Sequence, residues 1–146
     1  GDSGDYDLYI AANGRIRVTS CSELFAFYFN VESISFNGVL DTSEATDMFR
    51  MFQYCNCLTS LDLSSFDTSR VTDMEAMFES CSALSDLDVS GFDTSKVTNM
   101  VGMFRGCQSL TNPDLSSFDF SHVQYYGDFM DEGMTVNGRP WERLFR

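Results

Sequence analysis

Apolar and polar positions along this chain follow two short rhythms. Leu87-Asp88-Val89 changes character at every residue, as a short strand with one buried face does. Met74, Met77, Phe78 and Cys81 fall at i, i+3, i+4 and i+7, which predicts one face of a short helix. Thr72, with Glu75 three residues later, gives that helix a capping-box start.

The two rhythms recur together. Leu61 to Asp86 reads "LDLSSFDTSRVTDMEAMFESCSALSD" and Leu87 to Asn112 reads "LDVSGFDTSKVTNMVGMFRGCQSLTN", a period of 26 without a gap. Pro113 to Gly138 keeps the front half of the unit, and Leu40 to Ser60 is in register with Phe66 to Asp86. Val18 to Phe36 aligns with Val71 to Val89 once one residue is inserted between Phe36 and Leu40. The chain therefore holds about five units, the outer two degenerate, which is the habit of repeat arrays with capping ends.

Cys81, Leu84, Leu87, Val89 and Phe92 give C-x-x-L-x-x-L-x-V-x-x-F, close to the leucine-rich-repeat pattern with Phe in the Asn position. The predicted fold is an α/β solenoid of leucine-rich-repeat type, with a short parallel sheet on one face and short helices on the other. Stacking would line up Phe66/Phe92/Phe118, Phe52/Phe78/Phe104, Met74/Met100 and Cys55/Cys81/Cys107. No unit can bury its apolar face alone, so a single repeat should not fold.

The ends read differently. Tyr6, Leu8 and Ile10, the turn signal Asn13-Gly14, then Ile16 and Val18 predict an N-terminal hairpin cap over residues 1–17. Repeats fill 18–122. Residues 123–146 form a degenerate last unit and a C-terminal helical cap, with Asn137-Gly138 as a turn and Pro140 opening a helix that carries Trp141, Leu144 and Phe145. All of this makes one domain, 1–146.

The unit "LDLSSFDTSxVTDMxxMFxxCxxLxx" resembles the repeat of BspA-like bacterial surface proteins. Leu61–Asp86 and Leu87–Asn112 match almost throughout, and the resemblance extends over roughly Val18 to Asn137. The terminal units depart from it, with Cys21 in the Met register and Gly133 in place of the ladder Cys. The resemblance implies a leucine-rich-repeat fold. It also implies an exported protein at the bacterial cell surface or in the extracellular space, with adhesion to host or bacterial surface proteins or glycans.

Composition narrows the partners. A formal net charge of −13 with nine scattered basic residues disfavours nucleic acid and anionic membranes. No apolar run approaches the length of a membrane span, so direct membrane insertion is not expected. The opening "GDSGDYD" reads as a linker end, and a monomeric fragment is expected. Five cysteines, without a CxxC, leave the compartment open.

Asp67-Thr68-Ser69 has the form of the aspartic-protease triplet, whose two carboxylates meet and share a proton. The triplet recurs at Asp41 and Asp93, with a variant at Asp119, and so describes a row of turns capped by Asp side chains. Arg70, Lys96 and His122, three residues on, could offset its charge. Met74, Met77 and Cys81 could suit Cu(I), but in-register repetition favours core packing, and no metal or other cofactor is assigned. His122 has no in-register cysteine, so no catalytic residue is assigned either. The rows Thr42/Thr68/Thr94 and Thr46/Thr72/Thr98 could suggest ice binding, yet fall at turns and caps. Cys57, outside the ladder, is the candidate reactive thiol.

The remaining candidate is the open face. Asp62, Asp88 and Asp114, Ser64, Ser90 and Ser116, with Asp86 and Asn112 one step before, would form an acidic, small-residue surface. It suits a basic protein, a glycan or Ca²⁺. It carries none of the Trp, Tyr or Arg that dominate tight interfaces. The expected function is non-enzymatic recognition or adhesion; the competing reading is a structural spacer that displays another domain.

Overall fold

The computed structural model describes residues 6–146. Its strands are β1 (Tyr6–Tyr9), β2 (Ile16–Arg17), β3 (Val31–Ser35), β4 (Leu40–Asp41), β5 (Ser60–Leu61), β6 (Thr135–Val136) and β7 (Arg139–Pro140). They form a three-stranded parallel sheet in the order β1-β3-β5, a parallel pair β2-β4 and an antiparallel pair β6-β7. Trp141–Phe145 is a 3-10 turn.

The predicted α/β solenoid with helices and a helical cap is therefore corrected. Among the described residues there is no α-helix, and the strands lie in small separate sheets rather than in one continuous sheet. Leu87-Asp88-Val89 is not a strand.

Backbone hydrogen bonding explains the missing helix. Within Met74–Cys81, N–H groups of Met74, Ala76, Phe78 and Ser80 donate to carbonyls of Asn99, Val101, Met103 and Arg105 in the next repeat. The intervening Met77, Glu79 and Cys81 reach back only three residues, to Met74, Ala76 and Phe78. Each segment is a run of tight turns in which a left-handed residue recurs every fourth position. Glu23 and Phe27, Arg50 and Tyr54, Ala76 and Ser80, and Gly102 and Gly106 all have φ between 54° and 73°. A helix admits no such residue in its interior. A four-residue turn rhythm nevertheless buries the same side chains as a helix face, and Met74, Met77, Phe78 and Cys81 are all fully buried.

The repeat register itself is visible in the backbone. Thr46, Thr72, Thr98 and Gln124 N–H groups donate to the carbonyls of Thr19, Thr46, Thr72 and Thr98 in turn. The first of these steps is one residue longer than the others, which is the single insertion placed after Phe36. Isolated parallel bridges join Asp47 to Asp73, Asp73 to Asn99 and Asn99 to Tyr125.

Equivalent side chains meet in the core. Phe25, Phe52, Phe78 and Phe104 stack nearly parallel at 5.6–5.7 Å between centroids, an offset arrangement that ring quadrupoles favour. Phe92 stacks on Phe118 at 6.3 Å. The Cys55, Cys81 and Cys107 thiols are free and buried, each donating to a carbonyl one repeat earlier, of Phe25, Phe52 and Phe78. Burial pushes Cys55 up to about 11 and Cys107 up to about 12, and drives Cys81 well above its ordinary value. None of the three is a ready thiolate.

At the N-terminal end the hairpin cap is also corrected. β1 pairs with β3 and β2 with β4, each in parallel, so the two do not pair with one another. The reading of "GDSGDYD" as a linker end falls largely on residues outside those described. At the other end Asn137 and Gly138, at φ 52° and 72°, turn β6 into β7. The 3-10 turn that follows buries Trp141 and sets Phe145 edge-on to Phe129 at 5.2 Å.

Candidate functional site

Each repeat is held by side chains that cap turns. Asp67 and Asp93 accept the N–H of Ser69 and Ser95 at 2.9 and 3.0 Å, and also the hydroxyls of those serines at 2.6 Å. Asp41 and Asp119 accept the N–H of Ser43 and Ser121 in the same way. These are Asx turns, so the Asp-Thr-Ser triplets are architecture. The buried threonine between completes the corner. Thr68 Oγ1 donates to the Asp93 carbonyl at 3.0 Å and accepts the Asp93 N–H at 2.8 Å; Thr42 and Thr94 treat Asp67 and Asp119 alike. At 1 % exposure these threonines face no ice.

Hydrogen bonds from the serine two residues on hold Asp67, Asp93 and Asp119 below the usual carboxylate range. Asp41 reaches about 2, held down first by Ser43 and then by Arg17 and Arg15. Of the basic positions, Lys96 and His122 help lower Asp93 and Asp119, whereas Arg70 pairs with Glu44 at 2.7 Å. His122 is exposed, and its Nδ1 meets only Ser121 Oγ at 3.1 Å.

The open-face residues Asp62, Ser64, Asp86, Asp88, Ser90, Asn112, Asp114 and Ser116 are all exposed. They too form Asx turns: Asp62, Asp88 and Asp114 accept the N–H of Ser64, Ser90 and Ser116 at 2.9–3.0 Å. Hydrogen bonding from these serines depresses all three carboxylates, against mutual repulsion that raises Asp62 and Asp114 through Asp88. They remain ionised at neutral pH.

This surface is concave. Asp86, Asp88, Ser90, Asn112 and Asp114 line an open depression of about 480 Å³, together with the buried Leu87, Val89 and Pro113. Asp88 and Ser90 also border a smaller one of about 160 Å³, shared with Asp62 and Ser64. Asp62 and Ser64 in turn border a third of about 200 Å³ beside Asn37 and Gly38. The three share walls, so the structure joins them into a shallow polar groove across the repeats; Ser116 lies outside it. Among the described residues no three His, Cys, Asp or Glu side chains converge to hold a metal ion.

A family model described as "Mycoplasma protein of unknown function, DUF285" matches residues 19–141. The chain belongs to this family. The match spans all the Asx-turn corners and the whole groove. No curated protein matches the chain, and no solved structure matches it.

Reading the sequence missed two features of this DUF285 chain. One is the bridging role of Thr42, Thr68 and Thr94, whose signal is placement directly after three of the four corner Asp residues. The other is a cluster of exposed rings, Phe27, Phe29 and Tyr54, at 48 %, 51 % and 36 % exposure. Tyr28, between Phe27 and Phe29 in sequence, is exposed too, and its ring leans on Phe25 at 6.3 Å.

Proposed function

We infer that the chain is a non-enzymatic recognition or adhesion module, displayed outside a bacterial cell, whose groove along Asp62, Asp88 and Asp114 takes a polar or basic ligand. One observation carries this reading: three shared-wall depressions run across successive repeats, lined by ionised carboxylates and hydroxyls. The groove's hydroxyls, Ser64 and Ser90, sit beside Asp62 and Asp88, whose carboxyls are held below the usual range and so are weak bases for acyl transfer. The likeness of Leu61–Asn112 to BspA-like surface repeats supports the extracellular setting and a surface-protein or glycan partner. Net charge of −13 favours a basic partner and fast, salt-sensitive association.

The spacer reading has its own support, because Asp62, Asp88 and Asp114 each cap a turn and so have a structural place. Screening the chain against arrays of surface proteins and glycans separates the two. Capture that is lost in an Asp62→Asn/Asp88→Asn/Asp114→Asn variant of unchanged melting temperature supports recognition through the groove. Asn retains the turn-capping oxygen, as Asn99 does for the Val101 N–H. No capture by the chain, with capture by a longer protein containing it, supports the spacer.

A further inference from the structure

Two aromatic residues stand where the backbone suits them least. Phe27 and Tyr54 have φ of 67° and 62°, a region that bulky side chains rarely occupy. The same turn position is filled by Ser80 and Gly106 in the following repeats, so small residues also satisfy it. The rings do not repay the strain by filling the core. Phe27 and Tyr54 lie face to face at 5.4 Å and 19°, with Phe29 edge-on to Phe27 at 6.1 Å, and all three are exposed. The rings pack only on one another, at the surface, on a backbone that bulky residues rarely adopt, which marks them as a candidate contact.

The surroundings indicate what the rings receive. Glu23 occupies the left-handed position one turn before Phe27, and the Tyr54 N–H is bonded to the Glu79 carbonyl. Arg50, at the left-handed position one turn before Tyr54, lies 4.5 Å above the Phe49 ring while its Nη1 is 3.8 Å from the Glu23 carboxylate. The same pair of repeats thus already holds one guanidinium between an aromatic ring and an acid. We propose that the Phe27–Tyr54 platform binds an arginine from an extended basic segment of a partner protein, the guanidinium stacking on the rings. The chain's excess of carboxylates supplies the counter-charge, and Arg exceeds Lys because its planar group stacks and is weakly hydrated. This contact is separate from the Asp62–Asp114 groove.

The test is a titration of the whole chain, by calorimetry and amide chemical shifts, with an end-capped Gly/Ser peptide bearing two arginines. Lysine and citrulline versions serve as controls. The expected result is saturable binding of the arginine peptide, at least about fivefold tighter than the citrulline peptide. Phe27→Ser/Tyr54→Ser should lose about fivefold or more while melting at the same temperature or higher, since serine is native at position 80. The Asp62→Asn/Asp88→Asn/Asp114→Asn variant should bind within about twofold of the parent. Equal binding of citrulline, undiminished binding by the double Ser variant, equal loss in the triple Asn variant, or no saturable binding would each overturn the proposal. Concentration-dependent oligomers that vanish in the double Ser variant would assign the platform to a second copy and overturn it too.

Discussion

Gly102 and Gly106 permit a test whose sign depends on the local structure. In a helix interior, replacing Gly by Ala stabilises by about 1 kcal/mol. In the turns described above the same replacement forces an L-residue into φ of +61° or +73°. That costs about 1–2 kcal/mol, of which about 0.4–1 kcal/mol is returned by stiffening the unfolded chain. Gly102→Ala should therefore destabilise by about 1 kcal/mol, because its new methyl meets nothing nearer than Arg105 Cβ at 4.0 Å. Gly106→Ala should cost more. Its methyl would sit 3.0 Å from Ser80 Oγ, 3.2 Å from Ser80 Cα and 3.3 Å from Ser80 N, and overpacking against backbone adds about 1–3 kcal/mol. Urea unfolding, with the m-value held constant, measures both losses. Adding Ser80→Gly removes the hydroxyl contact but not the backbone ones, so a double-mutant cycle should recover only part of the Gly106→Ala cost. A rise in stability for either Gly→Ala variant would refute the turn architecture and restore a helix.

Other outcomes follow from the corners and the core. Thr68→Val should lose about 1–3 kcal/mol in the same assay by leaving the Asp93 N–H and carbonyl without their partner, whereas Thr68→Ser should lose less. Phe78→Ala, at the centre of the stacked rings, should cost about 3–5 kcal/mol by thermal or urea unfolding, and Phe78→Leu substantially less. Asp73 has its carboxyl raised, by burial first and then by Asp47 and Glu75; its ionised form is a burden at neutral pH. Asp73→Asn should raise stability at pH 7 by about 0.2–1 kcal/mol and have little effect at pH 3. The depressed carboxylates of Asp41, Asp67, Asp93 and Asp119 act in the opposite sense. Their stabilisation is complete above the unfolded carboxylate pKa and is lost as pH falls through their lower folded values. Melting temperature should therefore drop between about pH 4 and pH 2, and a flat profile there would remove the Asx turns from the stability account.

What could be read from sequence was the side-chain arithmetic. A 26-residue period puts Phe52, Phe78 and Phe104 in one row whatever the backbone does between them, and the rings stack accordingly. The Asp-x-Ser spacing likewise fixes an Asx turn locally, so the corners needed no tertiary information. The helix was misread because apolar residues at i, i+3, i+4 and i+7 satisfy both a helical face and a four-residue turn rhythm. Only one repeat, "VGMFRGC", carries glycine at both left-handed positions; Ala76 and Ser80 conceal them in its neighbour. The N-terminal hairpin failed for another reason. Asn13-Gly14 is a sound local turn signal, but β1 and β2 find better partners in β3 and β4 of the next repeat. The exposure of the candidate-face residues follows from polar residues alternating with buried Leu87 and Val89, while the depressions they line depend on tertiary packing between repeats.

The most direct test of recognition by the groove is an amide chemical-shift titration of the isotope-labelled chain with a ligand captured from the surface-protein or glycan arrays. The account predicts saturable shifts concentrated at Asp62, Ser64, Asp86, Asp88, Ser90, Asn112 and Asp114, weakened as salt is raised. Shifts confined to other surfaces, with these seven amides unmoved at saturation, would contradict it.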